Sequence, residues 1–194
     1  FCTHPHSVQA GLTPAHVLAL RLYTMAVYRS LNNPMRDAHR TESHPLPITM
    51  NCIAEAIRRL RAVSANQDDA NECVALWRGL RDMKVPQDFL RSGGTELAPM
   101  STTTDLSVAI KYSASASSVL LKLETSSFMQ RGADLTFLSA FPAESEILFP
   151  PLTFLEPKRG DEGKPQKVEV VDESSGAKVA ITFHIITVVP HFGT

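Results

Sequence analysis

At 194 residues, with 43% hydrophobic and 20% charged side chains, the chain can bury about 70% of its unfolded surface around one core, far from the composition of disorder. Its net charge of −1 argues against nucleic-acid binding, which leaves a basic excess or a basic face. No apolar run approaches the roughly 18 residues of a membrane span, and Cys2, Cys52 and Cys73 form neither a disulfide framework nor a metal-ligand spacing, so a reducing, cytoplasmic compartment is expected. The start, Phe1-Cys2-Thr3, has neither an initiating Met nor a signal-peptide pattern, and a fragment of a longer chain is the expectation.

The first third reads as helical. Thr13 suits an N-cap with Pro14 at the first helical position, and Val17, Leu18, Leu20, Leu22, Met25, Tyr28 and Leu31 recur near helical spacing until Asn32-Asn33-Pro34. After His44-Pro45-Leu46-Pro47, a second helix carries the stripe Ile53, Ala56, Ile57, Leu60 and Val63, with Arg58, Arg59 and Arg61 on a solvated face. From about residue 67 short apolar runs between turn signals predict strands at 72–77, 119–123, 135–138, 147–155, 167–171 and 179–189. One short helix, 105–112, interrupts them behind a Thr104 cap. Ser174-Ser175-Gly176 reads as a hairpin turn and 157–163 as a solvated loop. Helices followed by strands predict an α+β fold in a single domain, helical over about 1–66 and β over 67–194.

The most informative stretch is Phe141-Pro142-Ala143-Glu144-Ser145-Glu146-Ile147-Leu148. In a strand, alternate side chains share a face, which would set Glu144 and Glu146 side by side. Like charges that close resist joint ionisation unless a donor, a cation or a substrate hydroxyl lies between them. Upstream stand Leu76-Trp77-Arg78-Gly79-Leu80 and Pro99-Met100-Ser101-Thr102-Thr103. The seven histidines include no H-E-x-x-H spacing, and no metal site is expected. His16 and His39 read as solvated or capping groups and His184 as a satisfied strand residue.

In this order and at these intervals, aromatic-Arg, Ser-Thr-Thr and Glu-x-Glu resemble the mono-ADP-ribosyltransferase family, in the arginine-specific branch with the Arg, Ser-Thr-Ser and Glu-x-Glu series. Tyr23-Thr24, Asn33 and Arg36 are in the style of its N-terminal helices. Thr103 departs from the usual third Ser but keeps a hydroxyl. Met100 replaces a common aromatic. The resemblance implies N-terminal helices packed on two roughly perpendicular antiparallel sheets, with NAD as substrate in the cleft between them and no metal. It assigns Glu146 to the developing oxocarbenium ion, a charge familiar from glycoside cleavage, and Ser101 to orienting Glu146. Glu144 would polarise an incoming guanidinium, and Arg78 would bind the dinucleotide's phosphates. Gly79 would hold the nicotinamide amide through its backbone, and Tyr112 would pack on that ring. Thr102 and Thr103 would brace the strand, and Phe141 would meet the protein substrate. Arg21, Arg36 and Arg91 are candidates for further phosphate contacts.

The implied activity is transfer of ADP-ribose from NAD to an exposed arginine of a protein acceptor, with release of nicotinamide. Two alternatives stay open: an NAD glycohydrolase or ADP-ribosyl cyclase on the same scaffold, and a catalytically silent binding module.

Overall fold

The structure is a computed structural model that describes all residues except 65–70, 116–117, 159–164, 172–177 and 193–194, and the backbone alone for 165–171 and 178–181. It is α+β. A short α1 (Pro5–Gln9) leads into α2 (Pro14–Tyr23), which opens as predicted: Thr13 Oγ1 accepts from the His16 N–H at 3.3 Å. His16 answers through Nδ1, which accepts from the Thr13 N–H at 3.2 Å, so this buried histidine is a capping partner rather than a solvated group.

The helix expected to run to Leu31 is two helices. Thr24 caps α2, its hydroxyl donating to Arg21 O at 2.9 Å, and α3 (Tyr28–Arg36) starts after a turn. Pro34 lies inside α3 instead of ending it, because Leu31 and Asn32 are buried and hold that helix in place. In α4 (Pro47–Ser64), Met50, Ile53, Ala56, Ile57, Leu60 and Val63 form the expected buried stripe. On its outer face Arg58 and Arg59 pair with Glu55, whereas Arg61 reaches across to the carbonyls of Met129 and Arg131, both at 2.7 Å.

The remainder supplies β1 (Val74–Arg81), α5 (Gln87–Ser92), β2 (Gly94–Glu96), β3 (Met100–Thr103), α6 (Leu106–Ser113), β4 (Ser118–Thr125), β5 (Ala133–Asp134), β6 (Glu146–Phe149), β7 (Thr153–Pro157), β8 (Pro165–Val171) and β9 (Lys178–His191). Asp105, not Thr104, caps α6, its carboxylate accepting from the Ser107 N–H at 2.8 Å. The predicted hairpin turn at 174–176 and most of the predicted loop at 157–163 lie outside the described residues.

The strands follow one hydrogen-bonded path, β2-β7-β9-β4-β1-β3-β6-β5, with β8 on β9. Two separate antiparallel sheets are therefore not resolved, and β4 and β9 are parallel. The narrowest join is between β1 and β3, where a single pair, Trp77 and Thr103, is in register. The run expected as one strand over 147–155 is β6 and β7, which serve opposite ends of this path. Pro150-Pro151 withholds two ladder donors there, and Leu152 turns at φ 64°. The strand expected at 135–138 is a turn instead: Asp134 Oδ1 accepts from the Thr136 N–H at 2.7 Å, and Leu135 and Leu138, three residues apart, are both fully buried against the helices.

Three apolar clusters result. Leu20, Leu31, Ile53 and Ile57 pack with Leu135, Leu138 and Leu148; Leu76, Met100, Leu123, Phe149 and Val188 fill the sheet; Ala109 and Ile110 of α6 lie on Leu120 and Phe183. This last contact needs Gly79 on β1, where an added Cβ would stand 2.1 Å from Ala109 O and 2.9 Å from Ser113. Gly79→Ala must push α6 off the sheet, and overpacking of this kind costs about 1–3 kcal/mol. A calorimetric melt is expected to show that loss, and an unchanged midpoint would contradict the close packing described.

Candidate active site

Because β1, β3 and β6 are neighbours, the three sequence motifs meet. Their residues line one cleft of about 660 Å³, within the usual range for ligand sites of ~300–1,000 Å³. Its walls include Tyr23, Tyr28, Asn32 and Arg36 from the helices, Arg78 and Gly79 from β1, Ser101 from β3, Tyr112 from α6, and Phe141, Glu144 and Glu146.

Register does much of the positioning. Thr103 stands opposite Glu146, Thr102 opposite Ile147 and Ser101 opposite Leu148. The two threonines brace this pair of strands as expected: Thr102 Oγ1 donates to Ile147 O at 2.8 Å and Thr103 Oγ1 to Glu144 O at 2.7 Å. Glu146 is buried, at 8% exposure, and lines the cleft together with Ser101. Burial pushes its carboxyl above the usual carboxylate range; the Ser101 hydroxyl pulls the other way, and the Glu144 charge adds to the rise.

Glu144 does not sit in the strand. It ends a 3-10 turn, Pro142–Glu144, and Ser145 follows in the left-handed region at φ 47°, ψ 53°. Strand alternation therefore does not bring the two acids together; a strained turn does, since a non-glycine residue rarely adopts that conformation. Tyr112 donates its hydroxyl to Glu144 Oε1 at 2.7 Å. The loop ahead of Glu144 is fixed from the helical side. Arg21 Nη1 donates to Leu138 O at 2.8 Å and Ser139 O at 3.1 Å, and Thr24 Oγ1 accepts from the Ala140 N–H at 3.0 Å. Arg21 thus holds backbone. Phe141 projects beyond it, 54% exposed.

Two arginines also line the cleft. Arg78 Nη1 donates to Ser101 O at 2.8 Å, and this is the side chain's one hydrogen bond among the described residues. Burial pushes its guanidinium below the usual value, Arg36 pushes the same way and Glu96 opposes. Arg36 itself makes a two-pronged ion pair with Glu96, at 2.9 and 3.0 Å. Arg91 does not line the cleft.

Sequence reading missed Tyr28 and Asn32. Asn32, next to the residue singled out, is the one that faces in. Its Nδ2 donates to Tyr23 OH at 3.1 Å and Pro99 O at 3.2 Å, while Tyr23 OH donates to Pro99 O at 2.9 Å. Its Oδ1 is buried with no hydrogen-bond partner among the described residues. The available signal was a short polar residue in mid-helix, a position where Asn is unfavourable without a specific contact.

Residues 3–175 match the family model ART, NAD:arginine ADP-ribosyltransferase. The chain belongs to this family. No curated protein matches its sequence. Solved ADP-ribosyltransferases share the fold. HopU1 of Pseudomonas syringae pv. tomato is 20% identical with a TM-score of 0.62, covering 95% of this chain and 80% of its own. Exoenzyme S of Pseudomonas aeruginosa, solved with 14-3-3 protein beta and carba-NAD, is 17% identical with a TM-score of 0.61, covering 96% and 78%. Vis of Vibrio splendidus, solved with agmatine, is 16% identical with a TM-score of 0.62, covering 97% and 81%.

The protein is thus an NAD-dependent ADP-ribosyltransferase, and NAD is its substrate. The cleft suits that molecule: it is lined by Arg78, four of whose five N–H groups have no acceptor among the described residues, and a diphosphate can accept from them. Among the described residues no group of three His, Cys, Asp or Glu side chains is placed to hold a metal ion, and no helix is long and apolar enough to cross a membrane.

The upward shift of Glu146 has a stability consequence of definite sign. A carboxyl that holds its proton more tightly when folded loses stability as pH rises from its unfolded value through its folded one. Glu146→Gln is expected to raise the melting temperature at neutral pH, by about 2–4 °C for each kcal/mol relieved, and to leave it unchanged below the ordinary carboxylate range. Thermal melts at the two pH values check this; a lower midpoint for the variant at pH 7 would contradict it.

Proposed function

We propose that the enzyme transfers ADP-ribose from NAD to arginine side chains of a protein acceptor. The observation that carries this reading is the convergence of Arg78, Ser101, Glu144 and Glu146 on one cleft. Because helices and sheet both line it, residues 1–194 act as one catalytic unit.

Arg78 binds the diphosphate, for which a planar fork of five N–H donors is well matched, four of them having no acceptor among the described residues. The glycosidic bond between ribose C1′ and the nicotinamide nitrogen breaks, and its electron pair leaves with the ring, which departs neutral. Positive charge then develops on the ribose. Glu146 lies in a buried site where a fixed carboxylate acts strongly on such a charge, and Ser101 favours its ionised form. A guanidinium nitrogen attacks C1′ and its proton passes to Glu144. Gly79 brings the backbone of β1 to the cleft wall for the nicotinamide amide, and Phe141 meets the acceptor at the rim. Tyr112 lines the wall where the ring departs.

Arginine as the acceptor is supported by an acid at position 144, which can polarise a group that water leaves fully protonated. The structural neighbour Vis was solved with agmatine, which carries the same guanidinium.

Incubation with NAD and agmatine, followed by mass spectrometry, tests the assignment. Glu146→Gln is expected to lower all nicotinamide release by about 10³-fold. Glu144→Gln is expected to abolish the agmatine adduct while part of the nicotinamide release persists. An adduct that survives loss of Glu144 would remove that residue from its role. Free or cyclic ADP-ribose as the sole product of the parent chain would replace the transferase reading with a hydrolase or cyclase.

A further inference from the structure

We propose that Tyr112 is a positioning residue for acceptor transfer: its hydroxyl holds one oxygen of Glu144 and leaves the other for the incoming guanidinium. The proposal rests on the reading of Glu144 as the acceptor-facing base.

The backbone of Glu144 is already fixed. Its N–H donates to Phe141 O at 3.0 Å, its carbonyl accepts from Thr103 Oγ1 at 2.7 Å, and Ser145 turns the chain at once into the left-handed region. What the backbone leaves undetermined is the side chain, whose rotors carry about 1.5–2 kcal/mol of conformational entropy. Electrostatics alone would send that carboxylate outward, away from the charge of Glu146. The Tyr112 hydroxyl, 2.7 Å from Oε1, is what holds it in. Oε2 has no hydrogen-bond partner among the described residues.

Tyr112 can do this at any ordinary pH. Tyr112 is 55% exposed, and partial burial, then its bond to the Glu144 carboxylate, pushes its phenol up to about 12, so it remains a donor. Its height above the cleft is set by α6, which Gly79 lets settle directly onto β1. The tyrosine was expected to present only a ring face, a role that phenylalanine would fill equally well. The hydroxyl contact gives this chain a reason for tyrosine.

Water can reach the ribose cation without a carboxylate in one fixed orientation; a guanidinium that must lose a proton as it attacks cannot. Loss of the hydroxyl therefore changes how the reaction divides between its acceptors. The experiment measures agmatine adduct and free ADP-ribose together, for the parent chain and Tyr112→Phe, across a range of agmatine concentrations. The ratio of adduct to ADP-ribose is expected to fall about tenfold, the scale of one hydrogen bond to a charged group, with the KM for agmatine rising.

An unchanged ratio, or equal loss of both products, overturns the proposal and leaves Tyr112 a ring contact alone. A parent chain that makes no adduct overturns the arginine reading and this inference with it, so the two failures are distinguishable. A second variant does not depend on how Tyr112→Phe folds. A difluorinated tyrosine at position 112 keeps the ring and hydroxyl but ionises at lower pH, and the ratio is expected to collapse above that ionisation in this variant only. A pH profile identical to that of the parent counts against the proposal.

Discussion

A carboxylate held almost out of water beside a second acid is the constraint round which this molecule is arranged. Glu146 begins β6 at 8% exposure, and burial alone would favour its protonated form. The Ser101 side chain supplies the opposing influence, and Ser101 in turn is placed by the β3–β6 register. Slipping that register by one residue would turn the hydroxyl and the acid to opposite faces. Hence the paired threonines: each ties β3 to the far strand or to the turn before it, through a hydroxyl that donates to a backbone carbonyl.

The helical part is more than a cover. Its apolar face closes one core with Leu135, Leu138 and Leu148, and its polar groups reach the cleft edge. Arg21 and Thr24 fix the loop that carries Phe141 and leads to Glu144. Tyr23 and Asn32 fix the backbone at Pro99, one residue before β3 begins. Both sides of the acid pair are therefore set from the same helices, and one buried acceptor in the cleft wall, Asn32 Oδ1, has no partner among the described residues. A protein acceptor left so is costly to bury.

Much of this was legible from residue types. A guanidinium, a hydroxyl run and two acids in that order carried the resemblance to the family to which the chain belongs. The stripe from Ile53 to Val63 and the Thr13-Pro14 start were legible for the same local reason, since spacing and capping act within a few residues. Where the reading failed, the competing influence was distant. Leu135 and Leu138 look like a strand but are buried against the helices, and 147–155 looks like one strand but serves two ends of the sheet.

The sequence by itself determined the chemical inventory, the α+β class and the buried face of the strongest helix, all of which rest on side-chain identity and short-range periodicity. Only the tertiary structure decided how the two acids meet. They approach through the left-handed turn at Ser145 and the reach of Tyr112 from α6, not through strand alternation. It also decided that Asn32 rather than Asn33 faces the cleft, and that Gly79 serves the packing of α6 as well as the cleft wall. The physical reason is common to all three: side-chain direction depends on which element arrives from elsewhere in the chain to pack against it, and no local pattern encodes that arrival.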